Sequence, residues 1–139
     1  MRVARSYIDT PWHHAARRPG IGIDCAGVLI CAGRELGLVS ETFEVPAYVP
    51  IPDGVSLLKW CDQYMTRVPF DAMRPGDAIV LVTSDHPQHL AIVGDYRHGM
   101  GFSIIHACSR SKPPRVIETR LMFSKIQRFV AAYSLPAMG

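Results

Sequence analysis

The apolar pattern of this chain changes period at the turn Met73-Arg-Pro-Gly-Asp77, and that change restricts the fold more than any other feature. Before the turn, apolar residues recur at helical spacing. Val28, Leu29, Ala32 and Leu36 follow Asp24, a residue type that caps helix starts, and Gly37 suits a helix end. This predicts a helix over 24–37. Gly27 and Gly33 each cost it ~1 kcal/mol against alanine, but allow another element to pack closely. Leu57, Leu58, Cys61, Tyr64, Met65 and Val68 form a second stripe, with Lys59, Asp62, Gln63 and Arg67 off it, predicting a second helix. Between the two, Pro46, Pro50 and Pro52 require an extended connection. After the turn come five β-like runs: Ala78–Val82, His89–Tyr96, Phe102–Cys108, Val116–Leu121 and Ile126–Tyr133, separated by breaks rich in turn-forming residues. Helices followed by a strand meander predict an α+β domain, its N-terminal helices packed on a central antiparallel β-sheet. The first 23 residues, punctuated by Pro11, Pro19, Gly20 and Gly22, read as a loop.

The 139 residues fit one domain spanning 1–139, and an apolar fraction of 48% supplies a core that needs no disulfide. With 15 basic and 12 acidic residues, the net charge is +3. The basic residues are scattered rather than striped, which argues against nucleic acid as a partner. The longest apolar run, Ala26 to Gly33, is far short of the ~20 residues of a membrane helix. No apolar stretch follows the basic start Met1-Arg-Val-Ala-Arg-Ser6, which predicts synthesis in the cytoplasm without a secretory signal. The four cysteines show no C-x-x-C spacing, and free thiols are expected.

Cys25 is the residue with the strongest chemical expectation. It falls in the first turn of the predicted helix, where unpaired N–H groups and the helix dipole favour a thiolate and can receive an oxyanion. Ala26 and Gly27 leave room for a substrate. The plain alternative is a cysteine buried as a small hydrophobe. A nucleophile needs a base. His89 opens a predicted strand after the turn Ser84-Asp-His-Pro-Gln88, at a mouth able to face a helix N-terminus; a solvated histidine at a loop end is the alternative. His106 lies mid-strand between Ile105 and Ala107 and, if buried, must find a partner. Neighbouring strands would let it bond His89 and fix its tautomer; a core histidine bonded to a carbonyl is the alternative.

Four blocks then line up with one family. The string Thr10-Pro-Trp-His-His-Ala-Ala-Arg-Arg-Pro-Gly-Ile-Gly-Ile-Asp-Cys-Ala-Gly27 resembles the nucleophile region of NlpC-type cell-wall cysteine peptidases, in particular the short forms of phage tails, prophages and gene-transfer agents. Pro75-Gly-Asp77, His89-Leu-Ala-Ile-Val93 and Phe102-Ser-Ile-Ile-His-Ala107 match its next blocks in order, and the likeness runs from about Tyr7 to Tyr133. The resemblance implies a papain-like fold and hydrolysis of peptidoglycan stem peptides, typically at the bond between D-γ-glutamate and diaminopimelate. It implies Cys25 as nucleophile, His89 as base and His106 as the group orienting it, with no metal or organic cofactor. Asp24, Trp12 and Ala26 would support substrate or oxyanion. Trp12 stands where many relatives carry a tyrosine that helps bind the oxyanion, and packing beside the site is its alternative role. Phage-tail proteins are implied partners, and delivery to the wall within a tail or similar particle is the implied route.

Three other readings share these residues. A metal hydrolase would use His86, His89, His13, His14 and Asp85, but Pro87 breaks any helix there and no cysteine pair helps. A non-catalytic tail-assembly or wall-binding module would keep the fold without the chemistry. A papain-like amidase or acyltransferase acting on lipid or another amide would use the same machinery. Arg17 and Arg18 read as a solvated pair or a substrate-carboxylate contact, His98 as a hairpin-tip residue, and Cys31, Cys61 and Cys108 as core.

Overall fold

The computed structural model describes residues 1–48, 56–83, 89–124 and 127–135. The chain is mixed helix and strand, organised on a six-stranded antiparallel sheet. Helix α1 is Arg2–Arg5, and a two-stranded ribbon pairs β1 (Arg17–Arg18) with β2 (Gly22–Ile23). Helix α2 is Cys25–Glu35, followed by α3 (Ser56–Tyr64), β3 (Thr66–Val68) and a 3₁₀ turn at Phe70–Ala72. Strands β4 (Ala78–Thr83), β5 (His89–Asp95), β6 (Phe102–Cys108), β7 (Arg115–Arg120) and β8 (Gln127–Ser134) complete the sheet, in the order β3-β8-β4-β5-β6-β7.

Strand β4 shows why the sheet sits at the centre. Ala78, Ile79, Val80 and Leu81 are all fully buried, and alternate residues enter different clusters. Ala78 and Val80 pack with Leu57, Cys61 and Leu90 below α3, while Ile79 and Leu81 pack with Met73, Val93 and Ile104. A third cluster joins Tyr7, Ile23, Val28, Ile92 and Ile105, fixing α2 against β5 and β6. At ~25 cal/mol per Å² of apolar surface removed from water, this two-sided burial is the main stabilising term of the fold.

Helix α2 is closed at both ends by local chemistry. Asp24 is extended and its carboxylate accepts from the Gly27 N–H at 2.8 Å, satisfying an otherwise unpaired donor. At the other end Gly37 adopts φ +72, with Gly37 N–H donating to Arg34 O at 3.1 Å and Leu38 N–H to Gly33 O at 2.9 Å. These two bonds form a Schellman motif, which needs the left-handed backbone that glycine takes without strain.

Two expectations are corrected. The second helix stops at Tyr64 rather than running to Val68. Val68 leaves the apolar stripe and pairs with Ala132 of β8, as the β-branched Thr66 pairs with Ser134, and Pro69 follows. The first 23 residues are not merely a loop. Arg5 reaches Glu118 at 2.9 and 2.7 Å, and residues 9–12 bond along β7 through Asp9 N–H to Val116 O, Val116 N–H to Thr10 O and Trp12 N–H to Pro114 O. The segment thus lies along the edge of β7. The predicted turn 84–88, Pro50, Pro52 and the first residue of the last predicted strand, Ile126, lie outside the described residues. Among the described residues no helix is long and apolar enough to cross a membrane.

Candidate active site

Cys25 is the first residue of α2 and is half-buried. The segment leading into it is held by Ile23, whose N–H donates to Pro11 O and whose carbonyl accepts from His13 N–H, each at 3.0 Å. Asp24 then turns the chain into the helix. It is 4% exposed, and its carboxylate accepts from Gly27 N–H, Ala15 N–H and Arg17 Nη1, each at 2.8 Å, and from the Tyr48 hydroxyl. A buried carboxylate with this many donors is fully compensated. Arg17 carries the network outward, to Glu44 at 3.0 and 3.1 Å and to Tyr48 Oη at 2.7 Å. Arg17 is therefore neither a solvated side chain nor one facing outward for a substrate carboxylate, whereas Arg18 is exposed.

The two histidines come together at one end of the sheet. Strands β5 and β6 pair from Asp95–Phe102 to Ile92–Ile105, and continuing that register carries His89 and His106 to the same end. His89 Nε2 lies 2.7 Å from His106 Nδ1, with the rings edge to face and both residues 8% exposed. Beyond them, His106 Nε2 lies 3.2 Å from Thr119 Oγ1 on β7. Thr119 sits diagonally across the ladder, since His106 is opposite Ile117. Sequence reasoning missed Thr119, because nothing in its surroundings along the chain marks it; only the β6–β7 register brings it to the imidazole.

The backbone amides of Leu90 and Ala26 act on the sulfur of Cys25, drawing its pKa down. Cys25 also packs on the cluster containing Leu57, Cys61 and Leu90. Burial pushes its thiol up to about 11, with the charge of Asp24 adding to the effect, against the pull of the two amides and of Arg17. Placement at a helix start was expected to favour the thiolate, but here loss of water outweighs the dipole. His106 is pushed down to about 4 by burial and is neutral at pH 7.

The chain matches no protein-family model, and it has no significant match among curated proteins.

The supporting residues divide. Asp24 and Ala26 adjoin the sulfur on the chain, and Ala26 is buried. Trp12 packs on the cluster of Ile23 and Val28 and bridges to Ile23 through its backbone. All four cysteines are free thiols; Cys31 and Cys61 are core, whereas Cys108 is half-buried rather than core. His98 lies in the turn after β5, its ring 5.9 Å from that of Tyr96. Among the described residues no group of three or more His, Cys, Asp or Glu gathers as metal ligands would; His86 and Asp85 lie outside them.

Proposed function

We propose that the chain is a cysteine peptidase of papain-like, NlpC-type fold that hydrolyses peptidoglycan stem peptides at the bond from D-γ-glutamate to diaminopimelate. The observation that carries this reading is a helix-start thiol packed on the cluster that contains Leu90, together with an imidazole pair, His89 Nε2 to His106 Nδ1 at 2.7 Å, that reaches Thr119. The wall peptide as substrate is supported by the four sequence blocks alone.

The steps assign one tautomer to the pair: neutral His106 carrying its proton on Nε2, toward Thr119 Oγ1, and accepting at Nδ1 from His89 Nε2–H. That tautomer leaves His89 Nδ1 as the base. Because burial holds Cys25 as a thiol at pH 7, His89 takes its proton as the sulfur attacks the carbonyl carbon. Backbone N–H groups at the start of α2 receive the oxyanion. The imidazolium then protonates the leaving amine, and water completes the cycle by hydrolysing the thioester. Asp24 acts as a positioning residue, holding the first turn of α2 and Arg17 in place.

Digestion of purified peptidoglycan with wild type and Cys25→Ala, read by mass spectrometry of the released fragments, tests the reading. Wild type should release fragments ending at D-glutamate and the variant none above blank. Equal product from both would overturn it. Delivery within a phage tail or similar particle predicts the protein in purified particles, and constitutive free secretion would contradict it.

A further inference from the structure

Two neutral imidazoles bonded nitrogen to nitrogen can place their protons in two ways, and only one of them leaves a base. With His89 Nε2 2.7 Å from His106 Nδ1, either ring can be the donor. If His106 donates from Nδ1, a neutral His89 carries its proton on Nδ1 and has no nitrogen left to take one from a thiol. If His89 donates from Nε2, neutral His106 must carry its proton on Nε2. Among the described residues one group meets that atom, Thr119 Oγ1 at 3.2 Å. This separation falls within the ~2.7–3.2 Å of N–H donors and beyond the ~2.5–3.0 Å of hydroxyl donors on oxygen, which favours the imidazole as donor and the hydroxyl as acceptor. Thr119 is exposed on β7, so its own hydroxyl proton can turn to water. His106 is 8% exposed, and an Nε2–H without Thr119 would lose a partner that solvent replaces poorly. Burial keeps this ring neutral at pH 7, so the choice is between tautomers and not between charge states.

We infer that Thr119 is a positioning residue for the base: by accepting from His106 Nε2–H, its hydroxyl selects the tautomer pair in which His89 Nδ1 takes the proton of Cys25. The inference rests on Cys25 and His89 as nucleophile and base, and adds to them and His106 a fourth side chain from a separate strand. His106 stands opposite Ile117 and Thr119 opposite Ile104, so the hydroxyl reaches the imidazole along a diagonal of the β6–β7 ladder. In the steps above Thr119 meets neither sulfur nor substrate; it acts through two imidazoles. Loss of the hydroxyl therefore leaves substrate binding alone and slows the transfer of the thiol proton.

The test compares wild type with Thr119→Val and Thr119→Ser by NMR of the imidazole nitrogens at pH 7, by iodoacetamide alkylation of Cys25 and by peptidoglycan digestion. Wild type should show both rings protonated on Nε2. Valine keeps the branched shape at an exposed strand position, and with it the fold. It should move His106 toward the Nδ1–H form, slow alkylation by about tenfold and lower kcat with KM unchanged. Serine restores the hydroxyl and should return all three readouts to wild-type values. Thr119→Ala gives the same readouts if the valine variant does not fold. Wild-type tautomers in the variant without a hydroxyl, or alkylation at the wild-type rate once the tautomer has changed, would overturn the inference. A wall left undigested by wild type sinks the peptidase reading alone, because tautomers and alkylation are measured without substrate.

Discussion

His106 is the residue at which burial has the most measurable consequence. Its imidazole sits 2.7 Å from His89 and 3.2 Å from Thr119, and burial lowers its pKa from 6.5 to about 4. Below pH 6.5 the unfolded chain takes up a proton that the folded one refuses, so stability rises with pH across this window. The contribution is complete above pH 6.5 and is lost as pH falls toward 4. Between pH 6.5 and 5 the loss is about 2 kcal/mol. Urea denaturation over that range should show the decline, and His106→Asn should remove most of it. An unchanged slope in the variant would mean that another group controls the transition. The lowered carboxylates Glu44 and Glu118 act at more acid pH and leave this window clear.

Among the elements, α2 sets the position of everything around Cys25, and its two glycines make opposite predictions. A Cβ on Gly27 would lie 2.7 Å from Ile23 Cγ1 and 2.8 Å from Ala16 O, so backbone must move. Gly27→Ala gains ~1 kcal/mol of helix propensity and meets an overpacking cost of ~1–3 kcal/mol, for a net destabilisation of about 1 kcal/mol. A Cβ on Gly33 meets only Val39 Cγ2 at 3.3 Å, a side-chain atom that can shift. Gly33→Ala should therefore be neutral or stabilising by up to ~1 kcal/mol. Denaturation midpoints that rank the two variants the other way would contradict the close approach of Ile23 and Ala16 to the start of α2. Both ends of this helix were legible in sequence, because Asp24 and Gly37 act through local backbone chemistry. The end of α3 was not, because Val68 fits a helical stripe equally well until β8 offers it a partner.

At the scale of the whole molecule, legibility followed contact distance along the chain. The five long strands were readable from their apolar runs, and Phe102–Cys108 coincides with its expected bounds. Helix α1 and the edge segment 9–12 were not, since they are held by remote partners, Arg5 by Glu118 and residues 9–12 by β7, while β1 and β2, two residues each, are too short to show an apolar run. The site divides in the same way. Cys25, His89 and His106 stand out as residue types in unusual places. Arg17 and Thr119 gain their importance only from Asp24, Glu44 and His106 after folding. The account as a whole depends on a half-buried thiol activated by a neighbouring imidazole, and alkylation measures that directly. Iodoacetamide modification of Cys25 at pH 7, followed by peptide mass mapping in wild type and His89→Ala, should be at least about tenfold slower in the variant. Equal rates would mean that His89 does not serve the sulfur, and the proposed catalysis would fall with it.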